Sequence, residues 1–299
     1  MGTVAYSNET ERLAQLERRS TGYRFDLEHD PQWERATEPG IHAPSEMLAD
    51  FGIDVDALAP FAETFDWVFA ASVCRAFVLL ETYLIDFVER DHEHMRASAS
   101  LESLVCEERK HIAMFNRYED VILAHRDRVS FDRWFAPLGE RLRHRHTTKL
   151  WAIPDLTTRH WAFWINAQFF EEFTLYLDER LQAAADIQPT WRQIHRLHRI
   201  EETQHVATDE AYLEALAFDE SQVLEASRQF VYGVLQSLQD TVGIAPAITA
   251  VQEIGGVSLV KRGGVSQLPF VRHVLERPAF RRTRRFAPYF GQLAQQRGG

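Results

Sequence analysis

Apolar residues recur at a helical period through most of the chain, and the strict alternation of a half-buried strand is scarce. From about Phe65 to Glu89 the apolar positions run nearly all round, which predicts a central helix buried on every side. The polar stretch Arg90–Ser100 reads as a turn. Leu101 to about Val129 predicts a second, amphipathic helix, and Phe131–Arg145 a shorter one. Thr157–Ala184 predicts a third long helix, rich in aromatics such as Trp161, Phe163, Trp164, Phe169, Phe170 and Phe173. Pro189 suits the first position of a fourth, about Pro189–Phe218, because the N–H that proline lacks has no partner there in any case. Helical pattern continues over Ser221–Val242 and in weaker pieces to the end. Pro31, Pro39 and Pro44 break residues 1–60 into an arm with short helices. There is no internal repeat or low-complexity segment. The expected architecture is all-α: an arm (1–60), a four-helix bundle core (61–242) and a basic helical extension packed on it (243–299), together one domain.

Polar residues placed inside those apolar faces carry the chemistry. Glu108–His111 and Glu202–His205 are Glu-x-x-His steps within long amphipathic stretches, and each follows a lone glutamate upstream. Glu81 has Cys74, Phe77, Val78, Leu84, Ile85 and Val88 as helical neighbours, and an ionised carboxylate there costs several kcal/mol unless it is paired or bound to metal. His198, Glu202, His205 and Asp209 fall within about 60° of one another on one stripe, and Leu104, Glu108, His111 and Phe115 share a face in the same way. The levels agree as well. With turns centred near residues 95 and 186, Glu81, Glu108, Glu202 and either Glu171 or Glu172 all lie roughly 13–16 residues from a turn, so antiparallel hairpins bring them to one height. Periodicity does not choose between Glu171 and Glu172. Glu89–His92 has the same spacing but sits in the charged run ERDHEH, where it reads as a solvated accident.

One Glu from each of two helices and Glu-x-x-His from each of the other two is the ligand pattern of a carboxylate-bridged di-iron site in a helical bundle. Four such carboxylates balance the charge of two Fe(II). Mixed carboxylate and imidazole donors suit iron, with manganese as the alternative, better than zinc.

Bulk composition narrows the setting. A chain of 299 residues, 45% hydrophobic, can bury one large core. No apolar run reaches the ~18 residues of a membrane span, and MGTVAYSNETERL lacks the apolar stretch of a signal peptide, so a cytoplasmic, unprocessed protein is expected. Cys74 and Cys106 read as reduced core thiols. Of 33 Lys and Arg, nine lie from Lys261 onward beside the single acid Glu276, which leaves 24 basic against 43 acidic residues in the body. That tail is expected to dock on the acidic body. Nucleic acid is not expected as a partner, because the body would repel phosphates. A sharper expectation is that one of Arg277, Arg281, Arg282, Arg284 and Arg285 reaches a pocket and holds a substrate carboxylate.

His198-x3-Glu202-x2-His205 contains one histidine more than a desaturase or ferritin pattern requires. With Ile187-Gln188-Pro189 leading into HRLHRIEETQH, it resembles the di-iron arylamine N-oxygenases, the p-aminobenzoate N-oxygenase family within the ferritin-like proteins. The resemblance covers roughly residues 60–240, with a shorter Glu81-to-Glu108 interval than the family's. It implies a ligand set of Glu81, Glu108, His111, Glu171, His198, Glu202 and His205, with Glu108 and Glu202 bridging. It also implies an oxidant formed from two Fe(II) and O2 that oxygenates the nitrogen of a small arylamine in specialised metabolism. Electrons would come from an external donor, since no G-x-G-x-x-G fingerprint is present. A homodimer is compatible with this reading. The competing readings are a di-iron desaturase or hydroxylase, a ferritin-like iron oxidase, and a metal-free bundle.

Overall fold

The computed structural model describes residues 25–91, 93, 95, 99–216, 243–259 and 276. The predicted helix Ser221–Val242, His92, and the basic tail from Lys261 onward (Glu276 apart) lie outside the described residues. Two short helices, α1 (Ser45–Asp50) and α2 (Val55–Leu58), lead into α3 (Ala62–Arg90). There follow α4 (Ala99–Leu123), α5 (Arg128–Arg143), a π-helical turn (His144–Lys149), α6 (Leu156–Ala183), α7 (Pro189–Ala215) and α8 (Ile244–Gly255). No strand occurs among the described residues beyond one isolated bridge, Ile41 to Ile187. The fold is all-α, and its core is a ferritin-like bundle of α3, α4, α6 and α7.

α3 packs along α4 and α6 along α7, and the two hairpins meet where α4 faces α7. α8 covers the outer side of α3 and α5. By length and composition alone the stretch Val55–Arg90 would suit a membrane span, yet 72% of its most apolar window is buried inside the bundle. It is the central core helix that its all-round apolar pattern predicts. Trp161, Trp164 and Trp191 are fully buried in one continuous core that reaches from Phe25 to Leu259. Each large apolar side chain so enclosed stabilises the fold by about 1.5–3 kcal/mol.

Helix ends follow local chemistry. The Asp155 carboxylate accepts the Thr158 N–H (2.8 Å) at the start of α6, and Gln188 Oε1 accepts the Trp191 N–H (2.7 Å) just ahead of Pro189. The second predicted helix stops earlier than its apolar pattern suggested, at Leu123. Asp127 caps a fresh start by accepting the Ser130 N–H, so Val129 belongs to α5, where it is exposed. Gly243 begins α8 with φ +63°, and a Cβ there would lie 2.9 Å from the Val73 backbone nitrogen, so only glycine lets α8 approach α3 this closely. Cys74 is buried, as its surroundings suggest, whereas Cys106 is exposed. Two residues before Glu108, it is turned to the opposite face of α4 by the ~100° step of the helix.

Candidate metal centre

The seven residues singled out in the sequence converge in the middle of the bundle. α3 contributes Glu81, α4 Glu108 and His111, α6 Glu171, and α7 His198, Glu202 and His205, all of them buried. Donor atoms fall into two groups, each within 4.8 Å: Glu81, His111, His198 and Glu202 in one, Glu108, Glu171, Glu202 and His205 in the other. Glu202 belongs to both. Its Oε1 lies 2.5 Å from His198 Nε2 and its Oε2 3.3 Å from His205 Nδ1. Glu108 also spans the groups, with Oε2 3.2 Å from His111 Nδ1 and Oε1 3.2 Å from His205 Nδ1. These two carboxylates therefore each reach histidines of both donor groups. Of the adjacent α6 glutamates, Glu171 is the one in the cluster.

The donor set fits a pair of metal ions. Both oxygens of Glu81 and Nδ1 of His198 are buried without a hydrogen-bond partner, and the polar atoms of Glu171, Glu202 and His205 that face the cluster meet only one another, His111, His198, Glu108 and Asp209. Buried polar atoms are almost always satisfied, so this many facing one another fits a site in which cations would satisfy them. Electrostatics point the same way. Burial, then the neighbouring charges of Glu108 and Glu202, pushes the Glu81 carboxyl well above its ordinary range. Burial and Asp209 do the same to Glu171. Burial opposes ionisation of Glu202, but His198 and His205 outweigh it and hold that carboxyl well below the usual range. Burial likewise disfavours an imidazolium at His111, yet Glu108 and Glu201 raise it to about 9. Protons thus hold the cluster together in the metal-free protein, and two divalent ions would displace them.

Two residues that the sequence reading passed over hold the histidines in place. Glu107 Oε2 lies 2.8 Å from His205 Nε2, and Glu201 Oε2 lies 2.7 Å from His111 Nε2. Each helix thereby orients the other helix's imidazole and leaves its Nδ1 facing the cluster. Ser103 Oγ donates to Glu107 (3.0 Å), and Lys110 pairs with Glu201. The signal was present in the sequence as a repeated Glu-Glu-x-x-His, in CEERKH and IEETQH. Of each adjacent pair, one glutamate faces the cluster and the other reaches across. Among the described residues His198 has no such carboxylate behind it. Its ring stands against Phe77 and Phe115, at centroid distances of 5.3 and 4.9 Å. Asp209, also on this stripe, is fully buried beside Glu171, and burial raises its carboxyl well above the ordinary range. Glu89 lies far from this setting, exposed and paired with Arg109.

A cavity of about 590 Å³ opens on one side of the cluster. Glu81, Glu108, Glu171, His198 and Glu202 line its inner end, whereas His111 and His205 do not. Phe77, Leu80, Leu84, Phe163 and Phe170 form apolar walls, and Arg145, His146, Lys149 and Asn166 lie among the remaining lining residues. The first three of these come from the π-helical turn, a feature frequent at functional sites. His146 stacks flat on Tyr83 (5.2 Å, 11°), and burial, aided by the Arg145 charge, lowers its pKa to about 3. It is a neutral ring.

The family model of the p-aminobenzoate N-oxygenase AurF matches residues 69–236, more than half of the chain and all seven converging residues. The chain belongs to this family. It is accordingly an oxidoreductase of a di-iron, ferritin-like oxygenase family. No curated protein and no solved structure is significantly similar to it.

Proposed function

We propose that the protein is a di-iron N-oxygenase of small aromatic amines, with Glu81, Glu108, His111, Glu171, His198, Glu202 and His205 as metal ligands. The observation that carries this reading is the cavity that opens directly onto the ligand cluster. An iron oxidase needs a path for ions, but it has no use for an apolar chamber of about 590 Å³ against its metals. Two irons bound by this set would supply O2 activation.

The rest is done by the chain. Phe163 and Phe170 offer flat apolar walls for an aromatic ring and, with Leu80 and Leu84, exclude water from the reacting end. The amine points to the Glu81–Glu171 side of the cluster. Arg145 and Lys149 give the chamber positive charge that suits a carboxylate carried on the ring. The expected anionic contact thus has a source among the described residues, besides the arginines of the tail.

The test combines metal analysis with an amine screen. Protein loaded anaerobically with Fe(II) should hold about two irons per chain. Exposed to O2 and a reductant with a panel of arylamines, p-aminobenzoate among them, it should give hydroxylamino or nitro products. Iron oxidation without any oxygenated amine, alongside a desaturated or hydroxylated carbon substrate, would overturn the N-oxygenase assignment.

A further inference from the structure

Behind His198, on the side away from Glu202, the structure carries an aromatic path that leads to the protein surface. Trp191, His195 and His198 share one face of α7 at i, i+4 and i+7. The Trp191 and His195 rings meet edge-on at 4.0 Å. Both nitrogens of His195 are buried without a hydrogen-bond partner, and burial holds its pKa well below the ordinary value, so the ring is neutral. Phe115 lies 5.7 Å from His195 and 4.9 Å from His198 and closes the gap between them. On its other side Trp191 stacks on Tyr118 at 5.4 Å and 24°. Tyr118 Oη donates to Gln188 Oε1 (2.8 Å) and lies 3.0 Å from His42 Nε2, a second acceptor within reach of the same hydroxyl. His42 Nδ1 in turn lies 2.7 Å from Asp66 Oδ2. Tyr118 and Trp191 are fully buried, while the His42 and Asp66 side chains are 13% and 21% exposed.

Nothing in the ligand set requires this arrangement. Tyrosine and tryptophan are the side chains most readily oxidised by one electron. A tyrosine gives up its electron easily only when a base takes the phenolic proton at once. An Asp–His pair with Nδ1–H donated to the carboxylate leaves Nε2 as that base. We infer that Trp191 and Tyr118, with His42 and Asp66 as proton acceptor, form a relay that drains oxidising equivalents from the metal centre when O2 reacts without an amine in the cavity.

The balance is as follows. Reduction of one O2 to two waters needs four electrons and four protons: two bound Fe(II) would supply two electrons, solvent in the cavity the protons, and the relay the other two electrons, one at a time. In each passage Trp191 yields an electron to the oxidised cluster and regains one from Tyr118. The Tyr118 hydroxyl turns from Gln188 Oε1 to His42 Nε2 and passes its proton there, Asp66 balances the charge, and a neutral tyrosyl radical remains. A small surface reductant of the thiol or ascorbate class returns the electron, and His42 returns the proton. Without this route, the oxidant would attack its own neighbours, Phe77 and Phe115 first.

The inference rests on the di-iron reading, so the test has two arms. In the first, Fe(II)-loaded protein is mixed with O2 in the absence of amine and freeze-quenched, with iron content measured on the same samples. Electron paramagnetic resonance should show a tyrosyl radical that changes shape when tyrosine is ring-deuterated. Tyr118→Phe should remove that signal with iron content and helicity unchanged, and peptide mapping after repeated cycles should show several-fold more oxidation at Phe77 and Phe115. An identical radical and unchanged mapping in Tyr118→Phe would overturn the relay. The second arm needs no metal. A photo-oxidant is tethered to the exposed thiol of Cys106, about 18 Å along α4 from Tyr118. Flash oxidation of the parent should place a radical on Tyr118, and Asp66→Asn should shorten its lifetime or lower its yield several-fold. If the yield is the same in parent, Tyr118→Phe and Asp66→Asn, Tyr118 is no sink. A protein that passes this arm but binds no iron would leave the relay standing and remove the oxygenase reading.

Discussion

The two helix pairs of the bundle meet at one cluster but prepare their donors differently. α4 and α7 each present Glu-Glu-x-x-His, with the outer glutamates fastening His111 and His205 from behind. α3 and α6 each bring one glutamate to the cluster, Glu81 or Glu171, that lines the cavity and lacks a carboxylate-to-histidine hydrogen bond of the crossed kind. One side is therefore held by hydrogen bonds before any metal arrives, and the other is left free to move as ligands come and go. A centre that must hold its metals and still admit O2 and substrate needs both. The cavity is lined by Glu81 and Glu171 but not by the fastened His111 and His205, so a substrate bound there would lie beside the carboxylates that can shift.

The contrast can be broken most severely at Glu202, the residue common to both donor groups. Glu202→Ala should bring iron content from about two per chain to one or none, measured by elemental analysis of protein loaded in excess Fe(II). Full occupancy in that variant would remove Glu202 from the ligand set. His198→Ala should be milder, because that ring belongs to one donor group only and is backed by Phe77 and Phe115 rather than by a carboxylate from another helix. It should keep the bundle folded and change the optical spectrum of the O2 reaction. A metal-loaded crystal structure with the ring more than ~3 Å from both irons would refute its role, since metal–nitrogen bonds are near 2.1 Å.

The fastened side can be loosened without touching a ligand. Glu201→Gln and Glu107→Gln should each weaken iron binding by about 10–100-fold, the usual cost of losing a carboxylate behind a ligating histidine. Equal losses from Glu172→Gln, whose carboxyl stands next to a donor but outside both donor groups, would show that adjacency rather than the cross-helix hydrogen bond matters.

Acidity offers a gentler probe. In the metal-free protein His111 titrates at about 9, above its ordinary 6.5. A raised value means that protonated His111 stabilises the fold fully below pH 6.5, and this contribution is lost as pH rises through 9. Metal-free protein should thus lose on the order of 1–3 kcal/mol between pH 6 and pH 9 in urea titrations. Iron-loaded protein should not follow, because there the ring is already deprotonated, and its iron affinity should rise with pH as protons compete less. At the bottom of the scale, Glu89→Ala should leave iron content unchanged and stability within about 0.5 kcal/mol, since its pairing with Arg109 is exposed.

Much of this was legible in the chain. The 3.6-residue period located α3, α4, α6 and α7 to within a few residues, apart from the restart at Asp127, because those helices are long and their buried faces nearly uninterrupted. The Glu-x-x-His steps located four of the donors, since a carboxylate on an apolar face needs a reason to be there. Periodicity could not separate Glu171 from Glu172, because α6 is buried almost all round and offers no polar side as a reference. Glu107 and Glu201 were missed for a related reason: each sits beside a stronger candidate, and their role depends on reaching another helix. The π-helical turn at His144–Lys149 was invisible in HRHTTK, a polar run with no hydrophobic period to reveal a change of winding. The Tyr118–Trp191 stack joins residues whose nearness depends on how α4 leans on α7, which a one-dimensional pattern does not encode.

The crossed carboxylates also have a consequence in time. Glu107 lies 98 residues from His205, and Glu201 lies 90 from His111, so neither half of the chain contains a finished metal ligand. On a ribosome that adds 5–20 residues per second, α4 waits roughly 5–20 s before α7 has even been made. During that interval His111 has no carboxylate behind it, and Glu202, the residue common to both donor groups, does not yet exist. If the cluster binds iron as proposed, a nascent chain would offer a stray copper or zinc ion only part of the donors, and the full set would form only once both hairpins are made.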